Sequence, residues 1–451
     1  MASELLTGWG RTAPTRAEVI EPTRLDDVVA RVTGAGPRGI VARGLGRSYG
    51  DAAQNAGGDV LRLTTMNRVL ELDVEKGTCT VEAGVSLDAL MRALIPLGWF
   101  PMVVPGTRFV TIGGAIASDI HGKFRHGSFC DYVERAQLVT PARGVVTISP
   151  ASDPDVFWAT AGGMGMTGIV TEATVRMQPV EGSLMKVDTE RATDVDDCMA
   201  RMLSGDDRYR YSVAWIDCLA RGAHLGRSVL TRGNHASVDE LTPKQRERAR
   251  IFAPKRLLAA PPYVPGGLLN PLTVAAFNET WFRIAPRHRR DEIQGITRFF
   301  HPLDGVTGWN LVYGPRGFVQ YQFVVPYGAE QVVRTALERM SQARFPSFLA
   351  VLKRFEHAGN GMLGFPIEGW TLALDIPVGG DTLGPLLDEL DQLVVAAGGR
   401  VYLTKDSRLQ PELLRAMYPK LDHWREVRAA LDPKHRLRSD MDRRLDLTGR
   451  D

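Results

Sequence analysis

Three stretches of small residues within the first 180 positions constrain this chain more than any other feature. They are ARGLGRSYGD at 42–51, PGTRFVTIGGAIASDIHGK at 105–123 and AGGMGMTG at 161–168. Glycine admits positive φ and lets a second backbone or a flat ligand approach closely. Short apolar segments of strand character run between them, at 59–63, 78–83, 136–139, 144–149 and 169–177. Two segments read as helices: 24–33, with Asp26 and Asp27 in its first turn, and 86–97, with Ser86 as N-cap and Ala89, Leu90, Ala93 and Leu94 on one face. The elements do not alternate as a regular βαβ series, so the class is α+β. Three small-residue segments in one unit imply a large, flat ligand lying against backbone, and a dinucleotide with a fused ring system fits.

The 42–51 loop adds donors from Arg43, Arg47 and Ser48 to its three glycines. Successive backbone N–H groups in such a loop form a concavity suited to a pyrophosphate. Its spacing is neither the dinucleotide fingerprint of a Rossmann unit nor a P-loop, since no GK[ST] follows. By glycine count alone it reads equally well as a structural turn.

The texture changes after about 182. Longer strand-like stretches occupy 208–218, 318–326, 347–355 and 370–377, with helical patterns at 328–344 and 382–397. This predicts a second domain, an antiparallel sheet backed by helices. Strict alternation puts Gln320 and Gln322 on one face, and Lys353 adds a further polar group to the sheet. That face is either solvated or a surface for a sugar or cofactor. Residues 232–300 read as a long, mobile, irregular insertion. Seven Lys/Arg stand against three acids in 232–256, followed by the Pro/Gly-rich apolar stretch 257–277 and RIAPRHRR at 283–290. It is either an ordinary surface loop or a contact for an anionic membrane surface. The predicted organisation is therefore 1–182, 183–399 and a segment 400–451 that docks back on the first unit.

Composition excludes several classes. The net charge of +3 over 451 residues is too small for a dedicated nucleic-acid binder. Cys79, Cys130, Cys198 and Cys218 form no CxxC pair and stand at no metal-ligand spacing, so neither a disulfide scaffold nor a metal site is expected. The N-terminus has no basic segment leading into an apolar one, so no signal peptide is read. The 257–277 stretch contains four prolines and is a poor candidate for a spanning helix.

The motifs RGLGRSYGD, PGTRxVTxGGAIAxDIHGK and GGMGMTGI resemble the FAD-binding domain of the PCMH-type, vanillyl-alcohol-oxidase-like flavoproteins. GWGRTAP at 8–14, FWAT at 157–160, FHPLD at 300–304, WNxxYGPxGFxQYQFVxP at 309–326, KDSR at 405–408, MYP at 417–419 and SDMxRRL at 439–445 narrow the resemblance. They are similar to the group of that family that oxidises decaprenylphosphoryl-β-D-ribose at its 2′-hydroxyl, the flavoenzyme half of an actinobacterial epimerase that serves cell-wall arabinan synthesis. The resemblance runs nearly end to end and is weakest over 232–300.

The resemblance implies roles residue by residue. FAD is held without a covalent bond, although His121-Gly122 matches the place where related oxidases tether it. Arg43, Gly44, Leu45, Gly46, Arg47, Ser48, Tyr49, Gly50 and Asp51 cradle its pyrophosphate and ribose. Gly106, Thr111, Ile112, Gly113, Gly114, Ser118, Asp119, Ile120 and His121 line the flavin and its linker. Val170 meets the adenine side through its backbone, and Tyr402 packs near the ring system. Gln320, Gln322 and Lys353 contact sugar and phosphate. Trp215 is an apolar wall, with Phe355 similar; both also read as core. Ala373 stands where relatives from pathogenic mycobacteria carry a cysteine, Thr371 where an Asn is expected, and Phe300 where a Tyr precedes HPLD.

In the implied reaction the ribose hydroxyl becomes a ketone while a base takes its proton. Lys405 is the leading candidate for that base or for a cation beside the flavin, against a plain salt bridge to Asp406. His121 and Tyr49 are the alternative acceptors, and His121 also reads as a packing residue. Implied partners are a polyprenyl-phosphate sugar and an NAD(P)H-dependent keto-reductase, with peripheral membrane contact at the cytoplasmic face or in the cell envelope. A sugar-alcohol or aldonolactone oxidase using O₂ remains the alternative.

Overall fold

A computed structural model describes residues 2–255 and 258–449; Arg256 and Leu257, in the basic and apolar stretches noted above, lie outside the described residues. The N-terminal part carries two sheets. The first is four-stranded, in the order Ala2–Leu6, Thr15–Ile20, Asp59–Arg62, Ile40–Arg43, antiparallel at the first pair and parallel thereafter. The second runs Val69–Asp73, Thr78–Glu82, Ile169–Pro179, Val133–Thr140, Gly144–Ile148, all antiparallel, and Trp99–Pro101 adds to the long Ile169–Pro179 strand. The two expected helices form as Leu25–Thr33 and Leu87–Leu94. Ser86 caps the latter by accepting from the Ala89 N–H at 3.1 Å.

An eight-stranded antiparallel sheet follows, in the order His288–Gly295, Leu184–Ala192, Ser228–His235, Tyr211–Ile216, Ala350–Phe355, Gly369–Pro377, Phe318–Pro326, Arg400–Val401. Alternation divides its residues cleanly. Tyr321, Phe323, Val325, Leu372 and Leu374 pack into one apolar core with Val333, Leu337 and Met340 of the Glu330–Ala343 helix and Leu387, Leu390 and Val394 of the Leu383–Ala396 helix. Their neighbours in sequence point to the opposite face.

Residues 232–300 are not irregular throughout, which corrects the expectation. Residues 232–235 finish the Ser228–His235 strand, and His288–Gly295 forms the sheet's edge strand against Leu184–Ala192. Pro271–Ile284 is a 14-residue helix capped by Asn270, whose side chain accepts from the Leu272 and Thr273 N–H groups. The strand His288–Gly295 is rich in charge because it lies exposed at an edge, where charged residues are tolerated and discourage pairing with another chain.

The segment after 400 packs onto elements from the first 182 residues. Leu437 bridges to Ile40, and Trp424 Nε1 donates to the Ala159 carbonyl at 2.8 Å. Arg444 makes a two-pronged contact with Asp51 at 2.8 and 2.9 Å and reaches Asp406 with its third nitrogen at 2.9 Å. The four cysteines are buried and unpaired with one another.

Candidate active site

A cavity of about 950 Å³ lies between the N-terminal sheets and the free face of the eight-stranded sheet. Its back wall is almost bare backbone: Gly44, Gly46, Gly113, Gly114, Ala117 and Gly165, with Gly106 at the side. A Cβ built on Gly106 or Gly165 meets no atom within 4 Å, so both face open space. Such a wall accepts a flat ring system that side chains would exclude, and the volume suits a dinucleotide together with part of a substrate. The residues present therefore fit FAD.

The front wall follows from strand register. Directly opposite residues in antiparallel strands share a face. Gln322 pairs with Ala373, Ala373 with Val351, Val351 with Trp215 and Trp215 with Val229, and all five line the cavity as one rung across the sheet. A second rung of Val213, Thr231, Thr189 and Arg289 lies beside it. Among these, sequence reasoning named Gln322, Ala373 and Trp215. The others were missed because alternation gives the face only once the pairing partner is known. Trp215 keeps its ring on the wall by donating Nε1–H to the Phe348 carbonyl at 3.0 Å.

The inner end holds a cluster of titratable groups. His121 is buried, with Nδ1 3.1 Å from Lys353 Nζ and Nε2 3.1 Å from the Gln322 amide nitrogen. Rings of Phe355, Phe365 and Tyr402 surround it at 5.1–5.3 Å. Burial and then the charges of Lys353 and Lys405 hold His121 well below the usual imidazole value, so it stands neutral and is a weak base. Burial lowers Lys353 to about 7, and burial with the charge of Lys353 lowers Lys123 to about 7. Lys405 lies with Nζ 3.8 Å above the Tyr49 ring. Burial lowers it, while the nearby Asp375 opposes that effect.

Asp375 is fully buried, accepts from Gln320 Nε2 and from the Tyr313 hydroxyl, and is pushed up by desolvation. It sits two residues after Ala373 on the same strand face, a signal the alternation carried but the sequence analysis did not use. Lys123, Lys353 and Lys405 thus line one end of the cavity, and only Lys405 has a carboxylate, Asp375, beside it. Uncompensated buried cations are costly, and an anionic ligand would relieve the cost.

The other candidates divide. Arg43, Leu45, Arg47, Ser48, Tyr49, Thr111, Ser118, Ile120, Val170, Gln320 and Tyr402 line the cavity with the residues above. Gly50, Asp51, Ile112, Asp119 and Phe355 do not form its lining. Asp51 belongs to the Arg444 clamp. A Cβ on Gly50 would stand 2.0 Å from the Asp406 carbonyl, so that glycine is needed for chain approach. Asp119 accepts from the Cys130 N–H and the Ser128 hydroxyl, behind the cavity. Arg43 aims its guanidinium at the carbonyls of Thr7 and Ala53, at 2.7 and 2.9 Å, and so braces the loop. Burial with the charge of Asp375 holds the Tyr49 phenol protonated far above neutrality, which removes it as a proton acceptor. Asp406 pairs with Arg444, so Lys405 is not tied up in the simple salt bridge.

At its outer end the cavity opens beside Phe277, Trp281, Ile284, Arg289 and Arg298. Of the substituted positions, Phe300 lines the cavity, and the buried Thr371, outside the lining, accepts from the Gln322 amide at 3.2 Å.

Comparison with known proteins agrees with this geometry. A family described as FAD binding domain matches residues 17–149, and one described as D-arabinono-1,4-lactone oxidase matches 382–445. A decaprenylphosphoryl-beta-D-ribose oxidase of Mycolicibacterium smegmatis is 42% identical over 449 residues, covering 98% of this chain and 97% of that protein. The mitochondrial L-galactono-1,4-lactone dehydrogenase 2 of Oryza sativa subsp. japonica is 30% identical over 176 residues, covering 38% and 30% of the two chains. The protein is an FAD-dependent oxidoreductase acting on a CH–OH group. With a backbone-walled cavity for the cofactor and near full-length similarity at this level, the chain belongs to the decaprenylphosphoryl-β-D-ribose oxidase family.

Proposed function

We propose that the chain oxidises the 2′-hydroxyl of decaprenylphosphoryl-β-D-ribose to the 2′-ketone, the first half of its epimerisation to the arabinose used in cell-wall arabinan. The observation that carries this is the continuity of one cavity, which runs from the bare-backbone wall past a lysine cluster to an apolar mouth. Those three zones match a cofactor, a phosphate and a lipid tail in order. Bound FAD supplies the two-electron acceptor.

The chain's own residues do the rest. Gly44 to Tyr49 hold the cofactor's phosphates, and Arg43 keeps that loop in place. The cofactor is bound without a covalent bond, because both ring nitrogens of His121 already face Lys353 and Gln322. Gln320, Gln322 and His121 orient the ribose. Lys123 and Lys353 meet the phosphodiester, an ammonium–phosphate pairing strengthened by burial. Lys405, lowered by burial, takes the hydroxyl proton in its neutral form, and Asp375 beside it holds the resulting ammonium. Trp215, Val213 and Val351 guide the first prenyl units outwards. On this reading 1–182 is the cofactor unit, 183–399 the substrate unit, and 400–451 the segment that carries Lys405 into the cavity. An NAD(P)H-dependent keto-reductase completes the epimerisation. Among the described residues no helix is long and apolar enough to cross a membrane. We place the protein against a membrane, in the cell envelope or at its cytoplasmic face.

The test is anaerobic mixing of the purified yellow protein with a short-chain polyprenylphosphoryl ribose while the flavin band is followed. Bleaching is the expected result. The lactone-oxidase similarity over 382–445, the stretch containing Lys405, favours a second reading. Bleaching by a lactone or a polyol, with none by the lipid-linked ribose, would establish that one instead.

A further inference from the structure

The helix Pro271–Ile284 leaves four large apolar side chains exposed to solvent. It is held to the protein by buried Val274 and Asn278, the latter donating to Asp217 at 2.7 Å, and by Phe282 beneath the guanidinium groups of Arg191 and Arg227 at 5.2 and 4.7 Å. Beside that buried side stand Phe277, Trp281 and Ile284, exposed at 44%, 48% and 77%, and Leu272 in the first turn is exposed at 75%. Four more large apolar residues are exposed between 251 and 268, so that eight of the seventeen such residues among the described ones fall within 34 positions. Scattered exposed hydrophobics are normal, but a concentration of this kind marks an interaction surface.

Charge follows the same segment. Eleven Lys/Arg stand against four acids over 243–298, although the whole chain is only +3, so the remainder is net negative. Arg283, Arg287, Arg289 and Arg298 gather near the helix's C-terminal end. Exposed apolar side chains interleaved with arginines are the composition of a segment lying in a lipid interface, and the basic excess specifies anionic headgroups. The surface is also continuous with the mouth of the cavity, because Phe277, Trp281, Ile284, Arg289 and Arg298 belong to both.

We propose that this helix, with the exposed Ile251, Leu258, Tyr263 and Leu268 that precede it, seats the protein on an anionic phospholipid bilayer. The cavity mouth then rests at the boundary of headgroups and acyl chains. A prenyl tail passes from the bilayer along Phe277, Trp281 and Ile284 into the site without crossing water. The proposal rests on the lipid-linked substrate argued above, and it adds the docking surface and the lipid class.

The experiment is flotation of the FAD-loaded full chain with vesicles of phosphatidylcholine alone or mixed with phosphatidylglycerol. The expected result is co-flotation with the anionic vesicles only, weakened by salt as for any screened attraction. The double variant Leu268→Glu, Leu272→Glu changes residues outside the cavity lining. It should lower the bound fraction about tenfold or more, since two apolar side chains leave the interface and two charges oppose anionic lipid. Its flavin spectrum and its turnover of the soluble short-chain substrate should equal those of the parent, which shows that the variant is folded. No flotation with anionic vesicles, equal flotation with neutral ones, or equal binding by the variant would each overturn the proposal. Short-chain turnover without flotation removes the membrane seat and leaves the substrate; flotation without turnover keeps the seat and removes the substrate.

Discussion

The two ends of the cavity are built on opposite principles. At the inner end His121 is bonded to Gln322 and Lys353, Gln320 is bonded to Asp375, and burial pushes His121, Lys353, Lys405 and Asp375 towards their neutral forms. At the outer end Phe277, Trp281 and Ile284 make apolar contacts and remain substantially exposed. Directional polar groups suit a step that must move one proton at one atom. A non-directional apolar lip suits a repetitive tail that has no single correct register. The contrast teaches that chemistry and substrate length are set in different places, and substitutions should separate them.

The largest effect is expected at the inner end. Lys405→Met should slow the bleaching of the flavin about 10²–10⁴-fold, the usual contribution of a positioned proton acceptor, with FAD still bound. A rate within tenfold of the parent would assign the proton to another group. Next is Arg444→Met, which removes the ion-pair partner of the buried Asp406 carboxylate and releases Asp51. The loss should be about 3 kcal/mol in denaturant unfolding, the order found for breaking a buried pair, accompanied by weaker FAD retention. An unchanged unfolding midpoint would show the clamp to be unimportant.

A pH effect should follow from Lys123 and Lys353, each lowered to about 7 by burial in the free protein. A bound phosphate favours the ammonium and raises both again. Binding above pH 7 must then take up protons, so affinity is full below about 7 and falls as pH rises, by up to about tenfold per unit for each coupled proton. Calorimetry in buffers of different ionisation enthalpy would detect that uptake, and its absence would remove these lysines from the phosphate site. The smallest effect belongs to the outer end. Trp281→Ala should raise KM for a long-chain substrate about fivefold while kcat and the short-chain KM stay level, the signature of lost uniform binding. Equal losses on both substrates would erase the contrast between the two ends.

Much of the inner end was legible in the sequence because its determinants are local. The Gly-rich loop, the GGAIA turn and the HGK triplet each carry their conformational demand within a few residues. Gln322, Ala373 and Trp215 were also within reach. Their shared rung was not, since it depends on which strands pair and in what register. Asp375 escaped because a carboxylate in WTLALDIP has no motif of its own and gains its meaning from Gln320 directly opposite. The family resemblance implied a cofactor role for Asp51, whereas its partner Arg444 lies 393 residues away. The 232–300 region looked irregular because its edge strand is charged on both faces and its helix leaves Leu272, Phe277, Trp281 and Ile284 exposed. Periodicity assumes that apolar residues face inwards, and here they do not.

The Arg444 clamp has a consequence for how the protein is made. The loop at 42–51 leaves the ribosome early, yet the residue that fixes it follows 393 positions later. At ordinary synthesis speeds of about 5–20 residues per second, the loop waits roughly 20–80 s for its partner. During that interval Asp51 stands without the arginine that holds it in the finished molecule, so the end of the loop is fixed only once nearly the whole chain has been made.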